Sequence, residues 1–257
     1  MVHEPGSSVL PIAIGQVPFA LHFSDAELRS RARERYFSFE SPSAHSFPVF
    51  LNSPGRNSTK ATQFEFSLNG STLRMLDASA EFAGVANEYV LDSLLRILLS
   101  LKLLPEQGFL IHAATVERNE KSYVFMGRSG AGKSTIAAAA ARTGGIPLTD
   151  EISLVRKVNG AWHAHGTPFW GEFRAGGRNC SLPLAGIYSL VQAPRNSQRP
   201  LNSREALREL LPNVLFFSKQ REHREALLRV TTEIAATAPI FRLEFTRDVS
   251  FWEAIAA

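Results

Sequence analysis

Disulfide chemistry is excluded at the outset. Cys180 is the one cysteine among 257 residues, so no intramolecular bridge and no multi-cysteine metal site can form, and a reducing, cytoplasmic setting is expected. Long apolar runs are also missing. The longest, YVLDSLLRILLSLKLL over residues 89–104, is interrupted by Asp92, Arg96 and Lys102 and ended by Pro105, which predicts a core helix and no membrane span. The N-terminal MVHEPGSSVLPIAIG has Glu4 and no basic segment before its short apolar run, so no secretory signal is expected. Charge of one sign is scarce: the net +4 is too small to predict a nucleic-acid partner. Arginines and glutamates are interspersed between Arg195 and Arg229, as on solvated helix faces with i,i+3 and i,i+4 pairs.

What the chain does have is strand and helix patterning of a folded α/β protein. VLPIAIG, FPVFL and QFEFSLNGSTLRML, the last with an Asn69-Gly70 turn, fill the first third. Residues 1–85 are therefore expected to form a small β-rich subdomain. Beyond the 89–104 helix come FLIHAATV and SYVFM, two buried strands around a turn at Asn119-Glu120, then IPLTDEISLVRKV and AWHAH around Asn159-Gly160. PLAGIYSLVQ reads as a fully apolar strand and IFRLEF as a further one. Asn202 with Glu205 marks a capping box, and Ser250 with Glu253 suggests another at a terminal turn.

The chemistry is concentrated in GRSGAGKST. Gly127-x-x-x-x-Gly132-Lys133-Ser134 matches the phosphate-loop pattern in full, directly after the strand SYVFM and before an alanine-rich helix closed by Gly144-Gly145. Glycines at Gly127, Gly130 and Gly132, with Ser129 and Ala131 between them, let backbone N–H groups converge on phosphate oxygens, and the helix N-terminus adds partial positive charge. Lys133 reaches the β- and γ-phosphates, Ser134 ligates Mg²⁺, and Thr135 extends the helix start. The pattern predicts ATP and Mg²⁺ as ligands. Asp150 and Glu151 follow the next apolar strand, where such folds place a carboxylate against the metal or its waters; side-chain alternation sends the two to opposite sides unless the backbone turns, and Asp150 is the residue assigned as base or metal ligand.

Other residues admit two readings from sequence. His112 is either a satisfied core histidine or a site histidine. His163 and His165, two apart on a strand, are either a metal pair or, with no further ligand in sight, exposed strand residues, and the second is expected. Arg174, Arg178 and Arg195 either stabilise a transferring phosphoryl group or are solvated.

Together, His112, the 127–134 loop and Asp150-Glu151 resemble the catalytic domain of HPr kinase/phosphorylase, a phosphate-loop protein-serine kinase related in fold to phosphoenolpyruvate carboxykinase. The blocks GFLIHAATV, GRSGAGKST, LTDEISLV, HGTPFWGEF and PLAGIYSLVQ are similar to shorter HPr-kinase-like proteins of bacterial peptide-modification clusters, lasso-peptide ones included. The resemblance implies a mixed sheet with helices over residues 86–257, Asp150 as the base for the attacking hydroxyl, His112 lining the site, and Glu172 assisting the metal beside Ser134 and Asp150. Glu151 stands where that family has a second aspartate, GTPFWGEFRAGGRN lacks its glycine-rich signature, and the first third differs, which argues against HPr as the acceptor. The expected activity is ATP-dependent phosphorylation of a serine or threonine hydroxyl on a peptide or small protein, accepted in a groove bordered by residues 171–179. A small-molecule kinase and a nucleotide-binding accessory protein without transfer activity are the alternatives, and self-association into a homo-oligomer is left open.

Overall fold

A computed structural model describes residues 8–43, 45–52, 62–68, 70–169, 171, 177–246, 248 and 250–256. The chain divides into two units, Met1–Leu98 and Leu99–Ala257.

In the first unit, β1 (Val9–Ile14) and β2 (Val17–His22) pair antiparallel. Gly15 and Gln16 between them both have positive φ, 58° and 66°, which matches the turn to the right-handed strand twist. Helix α1 (Ala26–Tyr36) was not anticipated from sequence. Its N-cap, Asp25, accepts from the backbone N–H groups of Glu27 and Leu28. Only Leu28, Ala32 and Tyr36 are buried, a stripe too narrow to show as helical periodicity amid so many charges. The helix is the crossover that lets β3 (Phe47–Leu51) pair parallel to β2. Next come β4 (Thr62–Leu68), β5 (Ser71–Leu76) and β6 (Ala80–Ala83), giving a sheet of order β1-β2-β3-β6-β5-β4 among the described residues. The β4–β5 hairpin forms as expected, with Leu68 opposite Ser71, although Asn69 of its turn lies outside the described residues. Helix α2 (Glu88–Lys102) runs across the division between the units. Within the first unit its Asp92 is buried, gripped by Arg35 and by the Tyr36 hydroxyl at 2.5 Å.

The second unit is a mixed sheet flanked by helices. Strand β7 (Gly108–Arg118) turns at Asn119-Glu120, φ 52° and 58°, into β8 (Lys121–Met126), which leads through the 127–134 loop to α3 (Lys133–Ala141). Gly144, φ 82°, ends that helix, and Gly145 N–H donates to the Ala140 carbonyl. Strand β9 (Ile146–Thr149) and β10 (Ile152–Val158) both pair antiparallel with β7, and β10 makes a hairpin with β11 (Ala161–His165). Strand β12 (Ser181–Gln192) pairs first with β11 and then parallel to β8. After β13 (Ser197–Pro200) come α4 (Ser203–Leu210), the short β14 (Val214–Leu215) and α5 (Arg221–Thr237). Strand β15 (Ile240–Phe245), parallel to β12, and α6 (Phe251–Ala256) complete the unit.

The Asn202–Glu205 capping box is present on α4. At the other expected cap the Ser250 N–H and hydroxyl both donate to Asp248, and the Glu253 N–H donates to the Ser250 carbonyl. Two cores lie on opposite faces of the sheet. One joins Phe109, Ile111, Ala113 and Ile187 to α4 and α5, the other Ala114, Val116, Phe125 and Tyr188 to α3 and α6. The alternation along β7 is period 2. Among the described residues no helix is long and apolar enough to cross a membrane.

Candidate functional site

The 127–134 loop leaves the C-terminal end of β8, a buried strand held between antiparallel β7 and parallel β12. In sheets of this kind ligands gather at the carboxyl ends of parallel strands. The loop's glycines are required by geometry. Gly130 and Gly132 have φ of 77° and 105°, the left-handed region that side chains resist. A Cβ on Gly127 would meet Ala131 Cβ at 2.7 Å, and one on Gly132 the Phe245 ring at 2.6 Å. Ala131 N–H closes the turn on the Arg128 carbonyl, and from the end of β12 Gln192 donates to the Gly130 carbonyl at 2.9 Å. Ser129 and Gly130 are exposed, while Ala131, Ser134 and Thr135 are half-buried.

Helix α3 begins at Gly132, which has no side chain to accept from the first-turn N–H groups, so that end retains its donors and its partial positive charge. Lys133 is 8% exposed, and its ammonium donates to the carbonyls of Gly127 at 2.9 Å and Arg128 at 3.3 Å. Among the described residues no carboxylate stands within ion-pairing distance of it. Burial pulls its pKa below the ordinary lysine value, and the Glu151 charge opposes that shift.

The acids lie where β9 gives way to β10. After a register shift within the β7–β9 pairing, Thr149 stands opposite Thr115 and Ile152 opposite His112, and the chain bends between them at Asp150 and Glu151. The Thr149 hydroxyl fastens this bend, donating to the carbonyls of Ile152 and Phe169. Asp150 is 6% exposed and accepts the Gly171 N–H at 2.8 Å. Because the backbone bends, strict alternation does not separate the two acids: Glu151 is the one whose charge is felt at Lys133, a proximity the strand pattern alone did not reveal. His112 is half-buried and on the same face of β7 as Ala114 and Val116, against which α3 packs. The fold thus brings His112, the loop and the Asp150-Glu151 bend to one side of the sheet.

Three further expectations have different outcomes. Glu172 and Arg174 lie outside the described residues. Arg178 forms an ion pair with Glu117 of β7. His165, expected as an exposed strand residue, is 2% exposed. The reason is that β11 is flanked by both β10 and β12, and His165 shares its face with buried Leu154 and Leu110. Burial, aided by the charges of Arg156 and His163, holds its pKa down to about 3. Half-buried His163 instead pairs with the Ser181 hydroxyl at 3.0 Å, and no cluster of three metal-ligating residues is found among the described residues.

The family model described as SynChlorMet cassette protein ScmC matches residues 89–257, which takes in the whole second unit and every described site residue. The chain belongs to the ScmC family. No curated protein sequence matches it. Among solved structures, the HPr(Ser) kinase/phosphatase from Coxiella burnetii is similar at 14% identity and a TM-score of 0.29, over 48% of this ScmC-family chain and 87% of that one.

Proposed function

We propose that this ScmC-family protein binds Mg²⁺-ATP at the 127–134 loop and transfers the γ-phosphoryl group to a serine or threonine hydroxyl of a peptide or small protein. The observation that carries the reading is Lys133: a buried cation resting on two loop carbonyls, with no ion-pair partner among the described residues, at the uncapped start of α3. Burying a charge without a counter-ion is costly, and a triphosphate supplies that counter-ion. The glycine positions that a Cβ would fill suit backbone N–H groups that must approach phosphate oxygens closely.

The donor set also fits a divalent cation. The Ser134 hydroxyl and the Asp150 carboxylate are hard oxygen ligands of the kind Mg²⁺ takes, and the ion, when bound, offsets the negative charge of the phosphates. In this reading Lys133 leaves its two carbonyls for the β- and γ-phosphate oxygens, and the first-turn N–H groups of α3 hold the others. Asp150, fixed by Gly171 N–H, accepts the acceptor hydroxyl proton as the hydroxyl oxygen bonds to the γ-phosphorus and the bond to the β–γ bridging oxygen breaks, releasing ADP. Glu151 steadies Lys133, and His112 lines the floor of the site.

A second reading, a nucleotide-binding accessory protein without transfer, is favoured by the burial of Asp150 and its existing hydrogen bond, which leave a base less free to reach an acceptor. Titration with ATP and Mg²⁺, followed by transfer of radiolabelled γ-phosphate to serine-containing peptides, separates the two. Binding that Lys133→Ala abolishes, with label in the peptide, is the expected result. Binding without label supports the accessory role, and unchanged affinity in Lys133→Ala refutes the loop as the nucleotide site.

A further inference from the structure

The opposite end of β8 carries a cavity. It is about 510 Å³ in volume, within the range of small-molecule sites. Lys121 at its rim begins the six-residue β8, whereas the glycine loop follows the strand's last residue. At the rise of an extended chain the two sites are about 20 Å apart.

Its walls are aromatic. Tyr188 and Phe241 are stacked at 5.4 Å, and Trp252 meets Tyr123 edge-on at 5.1 Å. The indole is held in place: its Nε1–H donates to the Thr143 hydroxyl at 3.1 Å, and the Arg118 guanidinium lies 4.4 Å over the ring. The rim is charged in two senses. Arg118 and Lys121, on the two sides of the β7–β8 turn, form no ion pair with any described residue, and Glu253 of α6, among the lining residues, likewise forms none with a described residue. Gln198 of β13 adds a buried Oε1 with no hydrogen-bond partner among the described residues, an acceptor that lacks a donor there.

We propose that this cavity binds a free aromatic α-amino acid. The aryl ring is taken by the Tyr188, Phe241 and Trp252 surfaces, the carboxylate by Arg118 and Lys121, and the ammonium by Glu253 and the Gln198 carbonyl oxygen. No other simple chemistry matches all the elements at once: an aliphatic ligand leaves the aromatic wall unused, a simple anion leaves Glu253 unmatched, and a hydrocarbon leaves Gln198 without its donor.

Isothermal titration with L-tryptophan and L-phenylalanine tests this, with L-tryptophanamide and N-acetyl-L-tryptophan as probes lacking one charge each. Saturable binding of at least one amino acid is expected. The amide and the N-acetyl compound should each bind L-tryptophan's site about tenfold or more weakly, and saturating ATP should not displace the amino acid. Arg118→Gln should reproduce the loss seen with the amide, and Gln198→Leu, at a position half-exposed to solvent, should weaken binding while leaving the unfolding midpoint in place. The proposal is overturned if neither amino acid binds in the millimolar range, if the amide or the N-acetyl compound binds as tightly as L-tryptophan, if ATP competes, or if Arg118→Gln leaves affinity unchanged in a folded protein.

Discussion

Each unit buries a charge, and the two are treated differently. Asp92 in the first unit, 5% exposed, is matched by the Arg35 guanidinium and the Tyr36 hydroxyl, and burial with that neighbouring carboxylate raises the Tyr36 pKa well above its usual value. Lys133 in the second, 8% exposed, has among the described residues only carbonyl oxygens as hydrogen-bond partners, with the Glu151 charge acting on it from beyond ion-pairing distance. The first arrangement is closed: every charge has its counterpart within the fold, and its role is to fasten α1 to α2. The second is open, because carbonyl dipoles offset part of the desolvation of an ammonium but leave its net charge uncompensated. A buried charge completed by its own fold is structural, and the incomplete one is where we propose that a ligand binds.

Four measurements break or sharpen that contrast. The largest effect is expected beside the open charge: Asp150→Asn keeps an oxygen for Gly171 N–H but loses basicity, so phosphoryl transfer should fall by about 10²–10⁴-fold with the unfolding midpoint nearly unchanged. Equal transfer rates for the two proteins would remove Asp150 from the chemistry. At the closed charge the loss should be in stability instead. Asp92→Ala removes the carboxylate that binds Arg35 and the Tyr36 hydroxyl and should cost about 3–5 kcal/mol in denaturant unfolding without altering ATP affinity; a cost below about 1 kcal/mol would mean the cluster holds nothing together.

His165 offers an intermediate case, a buried group kept neutral. Its folded pKa is about 3 against 6.5 when free. Above pH 6.5 neither state is protonated and the residue is silent. As pH falls from about 6.5 towards 3 the unfolded chain takes up a proton that the folded chain refuses, so stability declines by about 1.4 kcal/mol per pH unit. His165→Phe should flatten the slope of unfolding free energy between pH 6.5 and 5, and an identical slope in both proteins would show that His165 titrates normally. The smallest effect belongs to Lys133→Met. Removing a buried, unpaired charge while keeping the side chain's length should shift stability by less than about 1 kcal/mol in either direction; a loss like that of Asp92→Ala would make Lys133 structural and erase the contrast.

Local signals were legible wherever a few adjacent residues suffice. The strand-loop-helix order around Gly127 and Lys133, the capping box of Asn202 and Glu205, and the hairpin at Asn159-Gly160, φ 49° and 84°, follow from backbone sterics and caps that depend on neighbours in sequence. Helix α1 was not legible, because its buried stripe of Leu28, Ala32 and Tyr36 gains meaning only once a sheet is there to receive it. The burial of His165 is not legible for a related reason: its exposure depends on whether β12 lies along β11, and strand alternation carries no information about a neighbour about 20 residues away.

By itself, then, the sequence determined a glycine loop able to approach phosphates, the lysine and serine that follow it, and the acids at the end of the next apolar strand. Each is a short-range pattern with its own steric or capping cause. Only the tertiary structure decided that the chain bends at Asp150 and Glu151 so that Glu151 is felt at Lys133, that His112 shares the α3 face of β7, and that Tyr123, Tyr188, Phe241 and Trp252 enclose one cavity. Those are juxtapositions of residues 11 to 129 positions apart, set by strand pairing and by the burial of apolar surface shared among distant segments.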